Sequence, residues 1–336
     1  MRPLFFALAL FVTPIVWGQE FSFIVAGDGR ATGKRAELEV QLGAVDKDGV
    51  NVPITTETAA YSASIGAKFL LFSGDLVQGS GTTPFDKQLL QWIDCMKVAE
   101  GKVRILPTRG NHELYGGAAS KDLYLNLISK RYNVPTDGPI GAEGLTFTFE
   151  QDGAGIIGLD EEFQGSETDF AWLAAKLDSM KEKKLQIFLF AHKQIFSTGA
   201  HTDRLFWQDD AKPDPEKDPE RIAKRTKLLD LLAAAGCRAI FFGHDHYYDR
   251  SVLTDGKLRI QQIQAGTTGA PFYSRDPAKI SKPDAKWRIE SQPAHLDYSY
   301  GFVRVDMKNG EATIRFMKRL GAGNYVEVDK VVLPKP

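Results

Sequence analysis

Apolar runs alternate with amphipathic segments through the first two thirds of the chain. Residues 21–26, 69–72 and 185–191 are short and predominantly apolar, and each reads as a strand. Within residues 84–99, Phe85, Leu89, Trp92, Ile93 and Met96 recur at three- and four-residue spacing. Residues 169–180 repeat this pattern with Phe170, Leu173, Ala174 and Leu177, so both segments predict helices that lay one apolar stripe on a core. Strand followed by helix, repeated, predicts βα units stacked on a sheet. After His246 the pattern changes to short strands at 259–264, 301–306, 312–317 and 326–333, separated by turns such as Asp255-Gly256 and Asn309-Gly310. This part predicts a second, more antiparallel sheet. Two stretches read as insertions. Residues 37–53 place Asp48-Gly49 between 41–45 and 50–52, predicting a small hairpin, and the Pro- and charge-rich 209–221 predicts a solvated loop at the rim of a site.

Composition narrows the class without naming a function. Of 336 residues, 43% are hydrophobic and 25% charged, which excludes disordered and fibrous classes. The formal net charge of −1 provides no global basic field to draw in nucleic acid, so any attraction for phosphate must be local. Arg2 precedes an apolar stretch at 4–16 that is too short to cross a bilayer comfortably. With small residues Val16 and Gly18 before Gln19, it reads as a signal peptide over 1–19, and Pro3, Pro14 and Gly18 work against a buried first helix. Export to the periplasm or the outside is therefore expected, with one domain over 20–336. No cysteine stands directly after the leader, and no later run reaches transmembrane length. Cys95 and Cys237 make no disulfide framework and are expected as small buried side chains.

The chemistry is concentrated where apolar runs stop. Asp28 follows 21–26, Asp75 follows 69–72, His192 follows 185–191, and the strings Gly110-Asn111-His112-Glu113 and Gly243-His244-Asp245-His246 complete the set. Ligands in open α/β sheets bind outside the carboxyl ends of strands, so these segments can converge on one crevice. Carboxylate, amide and imidazole donors without thiolate point to transition metals such as Fe, Zn or Mn, two ions being expected, with their identity left open. Asp75 is the candidate bridge, because a carboxylate offers two oxygens. Gly27 to Lys34 fails as a phosphate loop: a dinucleotide fingerprint needs glycine at Thr32, and a P-loop needs Ser or Thr at Arg35. The glycines are instead expected to turn the chain and leave Asp28 exposed at a strand tip.

The ordered set GD, GD, GNHE, H and GHDH resembles the calcineurin-like metallophosphoesterases, and the chain from about residue 21 onward follows their layout. Gly243-His244-Asp245-His246-Tyr247-Tyr248-Asp249-Arg250, the Gly-rich string from Gly266 to Pro271, and His201 nine residues after His192 resemble the purple-acid-phosphatase branch. The resemblance implies an α/β fold, a two-sheet β-sandwich flanked by helices. It implies one ion on Asp28, Asp75 and His246 and another on Asp75, Asn111, His192 and His244. It further implies hydrolysis of small phosphate mono- or diesters by in-line attack of hydroxide that the ions make available. Near the leaving group the resemblance sets His112 and His201, either able to donate a proton or a hydrogen bond. Asn111 would also meet the substrate.

Arg30 departs from that pattern. Its position usually supplies a His ligand, and the branch with a Tyr in the second motif has its counterpart here in Gln78, so no purple colour is expected. A guanidinium cannot ligate a metal. Arg30 is left either to bind substrate phosphate as a fork of donors or to pair with an acidic side chain. Glu113 is expected to orient His112, and His295 to be structural. The rival to a phosphoesterase is a degenerate protein that keeps metal and binds phosphate ligands without turnover; release of phosphate from generic esters separates the two.

Overall fold

The computed structural model describes residues 20–32, 48–202, 204–206, 218–290 and 294–336. The expected signal peptide, residues 41–45 of the expected hairpin and most of the expected charged loop lie outside these residues. In chain order the strands are β1 (Phe21–Ala26), β2 (Arg30–Thr32), β3 (Asp48–Val50), β4 (Phe69–Ser73), β5 (Arg104–Thr108), β6 (Phe147–Gln151), β7 (Ala154–Gly158), β8 (Gln186–Phe190), β9 (Ala239–Phe242), β10 (Tyr248–Thr254), β11 (Arg259–Ala265), β12 (Arg288–Ile289), β13 (His295–Asp297), β14 (Gly301–Lys308), β15 (Glu311–Gly321) and β16 (Asn324–Leu333). The long helices are α1 (Val52–Ser64), α2 (Phe85–Met96), α3 (Glu167–Glu182) and α4 (Pro219–Ala235).

One sheet runs β16-β15-β14-β1-β4-β5, and the other runs β12-β10-β11-β9-β8-β7-β6 with β13 also paired to β10. The late strands therefore do not build a sheet of their own. β14, β15 and β16 extend the first sheet as an antiparallel wing on β1, whereas β11 joins the second sheet parallel to β9. Asp48 and Gly49, expected in a hairpin turn, lie inside β3, which pairs antiparallel with β2.

The faces of β8 and β9 show how one apolar run serves two cores. Phe188, Phe190, Ala239 and Phe241 point into the layer between the sheets, while Ile187, Leu189, Ile240 and Phe242 point into the layer beneath α3 and α4. Successive side chains alternate between faces, so a strand buried on both sides must be apolar throughout. Across the inter-sheet layer Phe23 stacks on Phe69 at 4.5 Å and meets Phe188 edge-on at 5.4 Å. Full burial of each such ring contributes about 1.5–3 kcal/mol. The stripe of α2 is buried through Leu89, Trp92, Ile93 and Met96, as its spacing predicts. α3 starts on a Ser166/Asp169 capping box and α4 ends on Gly236 in the left-handed conformation. Cys95 and Cys237 are buried and free. Among the described residues no helix is long and apolar enough to cross a membrane.

Strands β1, β4 and β5 are parallel to one another, as are β7, β8, β9 and β11. The carboxyl ends of β1, β4 and β5 thus share an end with those of β8 and β9, where the loops carry the candidate residues.

Candidate metal centre

Three of the strand-end residues have unusual backbones. Asp28, Asp75 and His244 have φ of 59°, 50° and 71°, a left-handed conformation that few side chains adopt and that clusters at functional sites. The turn after β1 is thus made by Asp28 itself rather than by its flanking glycines, and Asp28 is fully buried rather than exposed at a tip. Glycine is required instead where backbone crowds the carboxylates. A Cβ on Gly110 would stand 2.4 Å from Asp75 Oδ1, and one on Gly243 would stand 2.4 Å from Asp28 Oδ2.

Four candidate ligand atoms converge. His192 Nε2 lies 3.0 Å from Asn111 Oδ1, 3.2 Å from Asp75 Oδ1 and 3.3 Å from His244 Nδ1, and His244 Nδ1 is 3.1 Å from Asn111 Oδ1. His192 Nδ1 donates to Ser73 O at 2.8 Å, which leaves the Nε2 lone pair aimed at this cluster. With Nε2 unprotonated these acceptors repel one another, and a proton on His192 or a metal cation among them relieves that repulsion. Tetrahedral bonds of about 2.0–2.1 Å imply ligand atoms about 3.3 Å apart, which is this spacing. Burial disfavours charge on His192, yet Asp75, Asp28 and Glu161 raise it to about 9, the same negative field that attracts a metal ion.

Asp28, Asp75 and His246 form a second group of ligand atoms, all within 4.8 Å of one another. Asp28 Oδ2 accepts from His244 N at 2.9 Å, and Oδ1 is 3.2 Å from His246 Nε2. His246 Nδ1 donates to Pro271 O at 2.7 Å, so its Nε2 also presents a lone pair. Arg30, however, reaches into this group. Its Nε donates to Asp75 Oδ2 at 3.2 Å and its Nη2 to His246 Nε2 at 3.2 Å. Burial opposes ionisation of Asp75, but His112, His192 and Arg30 hold its carboxyl well below the usual range.

The remaining residues line a cleft of about 180 Å³ over these groups. His201 Nδ1 donates to Asp245 Oδ1 at 2.7 Å, and its ring lies 4.2 Å from that of His244. Asp245 also accepts from Tyr247 Oη at 3.0 Å and Gln194 Nε2 at 3.1 Å, so it is rigidly held. His112 Nδ1 donates to Gln78 O at 2.6 Å, and burial, aided by Arg30, pushes the ring down to about 4. Glu113 does not orient His112. Its carboxylate accepts from the backbone N–H of Asp75 at 2.9 Å, Val77 at 3.2 Å and Gly110 at 2.7 Å, and so clamps the Asp75 loop to the Asn111 loop. Arg109, beside Gly110, is buried in a bidentate pair with Asp160 at 2.8 and 2.5 Å. His295 sits on β13 against Tyr248, apart from the cleft.

Sequence reasoning passed over Tyr273, which stacks on His246 at 4.2 Å and meets His201 edge-on at 4.5 Å, and it gave no task to Asp245. Tyr273 has no strand end or motif to mark it. Asp245 stood inside a motif, between two ligand-type histidines, and could have been found there. A larger cleft of about 660 Å³ is lined by Glu100, Arg104, Arg131 and Tyr132. It lies at the amino end of β5, the opposite end from the candidate ligands.

The sequence profile of the calcineurin-like phosphoesterases matches residues 56–248, more than half of the chain. The chain belongs to the calcineurin-like phosphoesterase family. No curated protein matches it. Among solved structures it is similar to a purple acid phosphatase from yellow lupin seeds, at 15% identity and TM-score 0.65, over 94% of this chain and 54% of that one. A dimetal phosphatase from Danio rerio is similar at 14% identity and TM-score 0.59, over 94% of this chain and 99% of the other. The anchor in the inner membrane complex of Plasmodium is similar at 14% identity and TM-score 0.54, over 92% and 89%. The chain spans about half the length of the lupin protein. Neighbours so different in their roles establish the fold and leave activity to the site. Calcineurin-like phosphoesterases imply a two-ion centre. The donor set of Asp75, Asn111, His192 and His244 fits one ion; at the other position the guanidinium of Arg30 occupies two of the three ligand atoms. The profile match begins at residue 56, so this departing first motif lies outside it.

Proposed function

We propose that the chain is an exported, metal-dependent phosphoesterase that hydrolyses small phosphate mono- or diesters. The observation that carries this reading is the convergence of Asp75, Asn111, His192 and His244 on one point at ligand spacing, on the floor of a cleft that also holds Arg30 and His201. Export is supported by the basic and apolar leader over 1–19. A transition metal held there supplies Lewis acidity and lowers the pKa of water to about 7 from 15.7.

The side chains have separate tasks. At about 180 Å³ the cleft is smaller than the roughly 300–1,000 Å³ of sites that enclose a whole small molecule. It takes the phosphoryl head and leaves the ester group at the rim. Arg30 places a positive charge beside that head. His201 donates the proton to the departing oxygen: the Asp245 carboxylate on its Nδ1 fixes the ring, which lines the cleft. His112 is less suited to this, because its Nδ1 proton is committed to Gln78 O and its Nε2 is 3.7 Å from Asp75 Oδ2. His112 instead lines the floor with Tyr115, whose ring it meets at 4.7 Å.

The test uses chelated protein, then protein reloaded with Zn, Mn or Fe, against a panel of aryl and alkyl mono- and diesters. Turnover that disappears on chelation and returns with a transition metal is expected. Binding of phosphate with no turnover under any of the metals would overturn the reading in favour of a ligand-binding protein.

A further inference from the structure

We infer that the guanidinium of Arg30 stands in place of the family's first ion, so that this chain builds a centre of one metal ion and one fixed organic cation. The inference rests on the metal centre described above.

Arg30 is 4% exposed, and four of its five N–H groups have partners brought by separate segments. Nε donates to Asp75 Oδ2 at 3.2 Å, Nη1 to Gln78 Oε1 at 2.9 Å, and Nη2 to both His246 Nε2 at 3.2 Å and Tyr273 Oη at 3.1 Å. Two of these acceptors, Asp75 Oδ2 and His246 Nε2, are atoms that an ion at this position would need. His246 cannot serve both, because Pro271 O holds its Nδ1 proton and only one lone pair remains. Of the three donors only Asp28 Oδ1 is without a hydrogen-bond partner, and a single oxygen does not make an ion site.

Two features keep the guanidinium from swinging away to admit an ion. Gln78, in the second motif, closes over Nη1, and Tyr273 both accepts from Nη2 and stacks on the ring of His246. Charge favours the same arrangement. The carboxylates of Asp28 and Asp75 are already faced by a guanidinium, and a divalent ion sharing Asp75 Oδ2 and His246 Nε2 with it would stand in contact with it, where repulsion is strongest. Asp75 thus bridges unlike cations, Oδ1 facing the His192 cluster and Oδ2 facing Arg30. Arg30 is consequently a fixed charge in the wall of the cleft and has no free fork for substrate.

The experiment counts ions. Protein stripped with chelator, reloaded with excess Mn²⁺ and desalted is analysed for metal per chain and by electron paramagnetic resonance. Wild type is expected to hold one ion, with the signal of an isolated Mn²⁺. Arg30→His and Arg30→Ala are expected to approach two ions with a spin-coupled signal, and Arg30→Lys to remain at one. Two ions per wild-type chain would overturn the inference, and this count decides even where a variant fails to fold. One ion in a folded Arg30→Ala protein would also overturn it, by removing Arg30 as the cause. A one-ion protein without ester hydrolysis would refute only the proposed function, whereas a two-ion hydrolase would refute only this inference.

Discussion

Asp75→Asn isolates the charge of the residue that both cations share in the proposed centre. The amide keeps the size of the side chain, keeps an oxygen that can accept from His112 N at 3.0 Å, and tolerates the left-handed φ of 50° at this position. What it removes is the negative charge between Arg30 Nε at 3.2 Å and His192 Nε2 at 3.2 Å. Removing one partner of a buried, hydrogen-bonded charge pair costs about 3–5 kcal/mol, and about 1.4 kcal/mol is tenfold in an equilibrium. Loss of a residue that merely supports a ligand weakens metal binding by about 10–100-fold, which sets a floor for the loss of a ligand itself. The ion's Kd should therefore rise by about 10²-fold or more, and hydrolysis should fall in step at limiting metal. Competition against a chromophoric chelator gives the Kd, and circular dichroism checks that the variant is folded. A folded Asp75→Asn protein with Kd within threefold of wild type would refute the assignment of Asp75 as a ligand.

Asp245→Asn should slow alkyl esters by about 10²-fold while nearly sparing nitrophenyl esters, because it weakens the hold on His201 without touching the ligands. An equal loss across leaving groups, measured as kcat, would show that Asp245 is merely structural. Arg109→Leu leaves Asp160 buried without its bidentate partner and should lower unfolding free energy by about 3–5 kcal/mol in urea titration; a change under 1 kcal/mol would be contrary. In the ion-free protein, His192 is raised from 6.5 to about 9 and Glu113 from 4.5 to about 8, each by the carboxylates or burial around it. Both bind a proton more tightly folded than unfolded. Their stabilisation is full below the unfolded values and is lost as pH rises through the folded ones, so the melting temperature of chelated protein should fall between pH 6.5 and 9. A melting temperature that rises over this window would contradict the burial and charge of the cluster.

The run-and-stop pattern of the chain determined a good deal by itself. Apolar segments ending in Asp28, Asp75, Asn111, His192 and His244 became parallel strands with those residues just past their carboxyl ends, because strand-forming pattern and turn chemistry are local properties of sequence. The stripes of α2 and α3 were legible for the same reason: spacing alone decides which face is apolar. What the local pattern does not hold is partnership at a distance. The choice of sheet for β14, β15 and β16 depended on which edge was open beside β1, and alternation reads the same in either sheet. The task of Glu113 depended on where the backbones of Asp75 and Val77 came to rest, and no side-chain type announces three backbone N–H groups. Arg30 is the sharpest case. Its residue type already excluded it from ligating a metal, but its acceptors come from Asp75, Gln78, His246 and Tyr273, separated from it by 45 to 243 positions. Whether a buried guanidinium points at substrate or fills an ion's place is decided by where those acceptors converge, and that convergence exists only once the two sheets have packed.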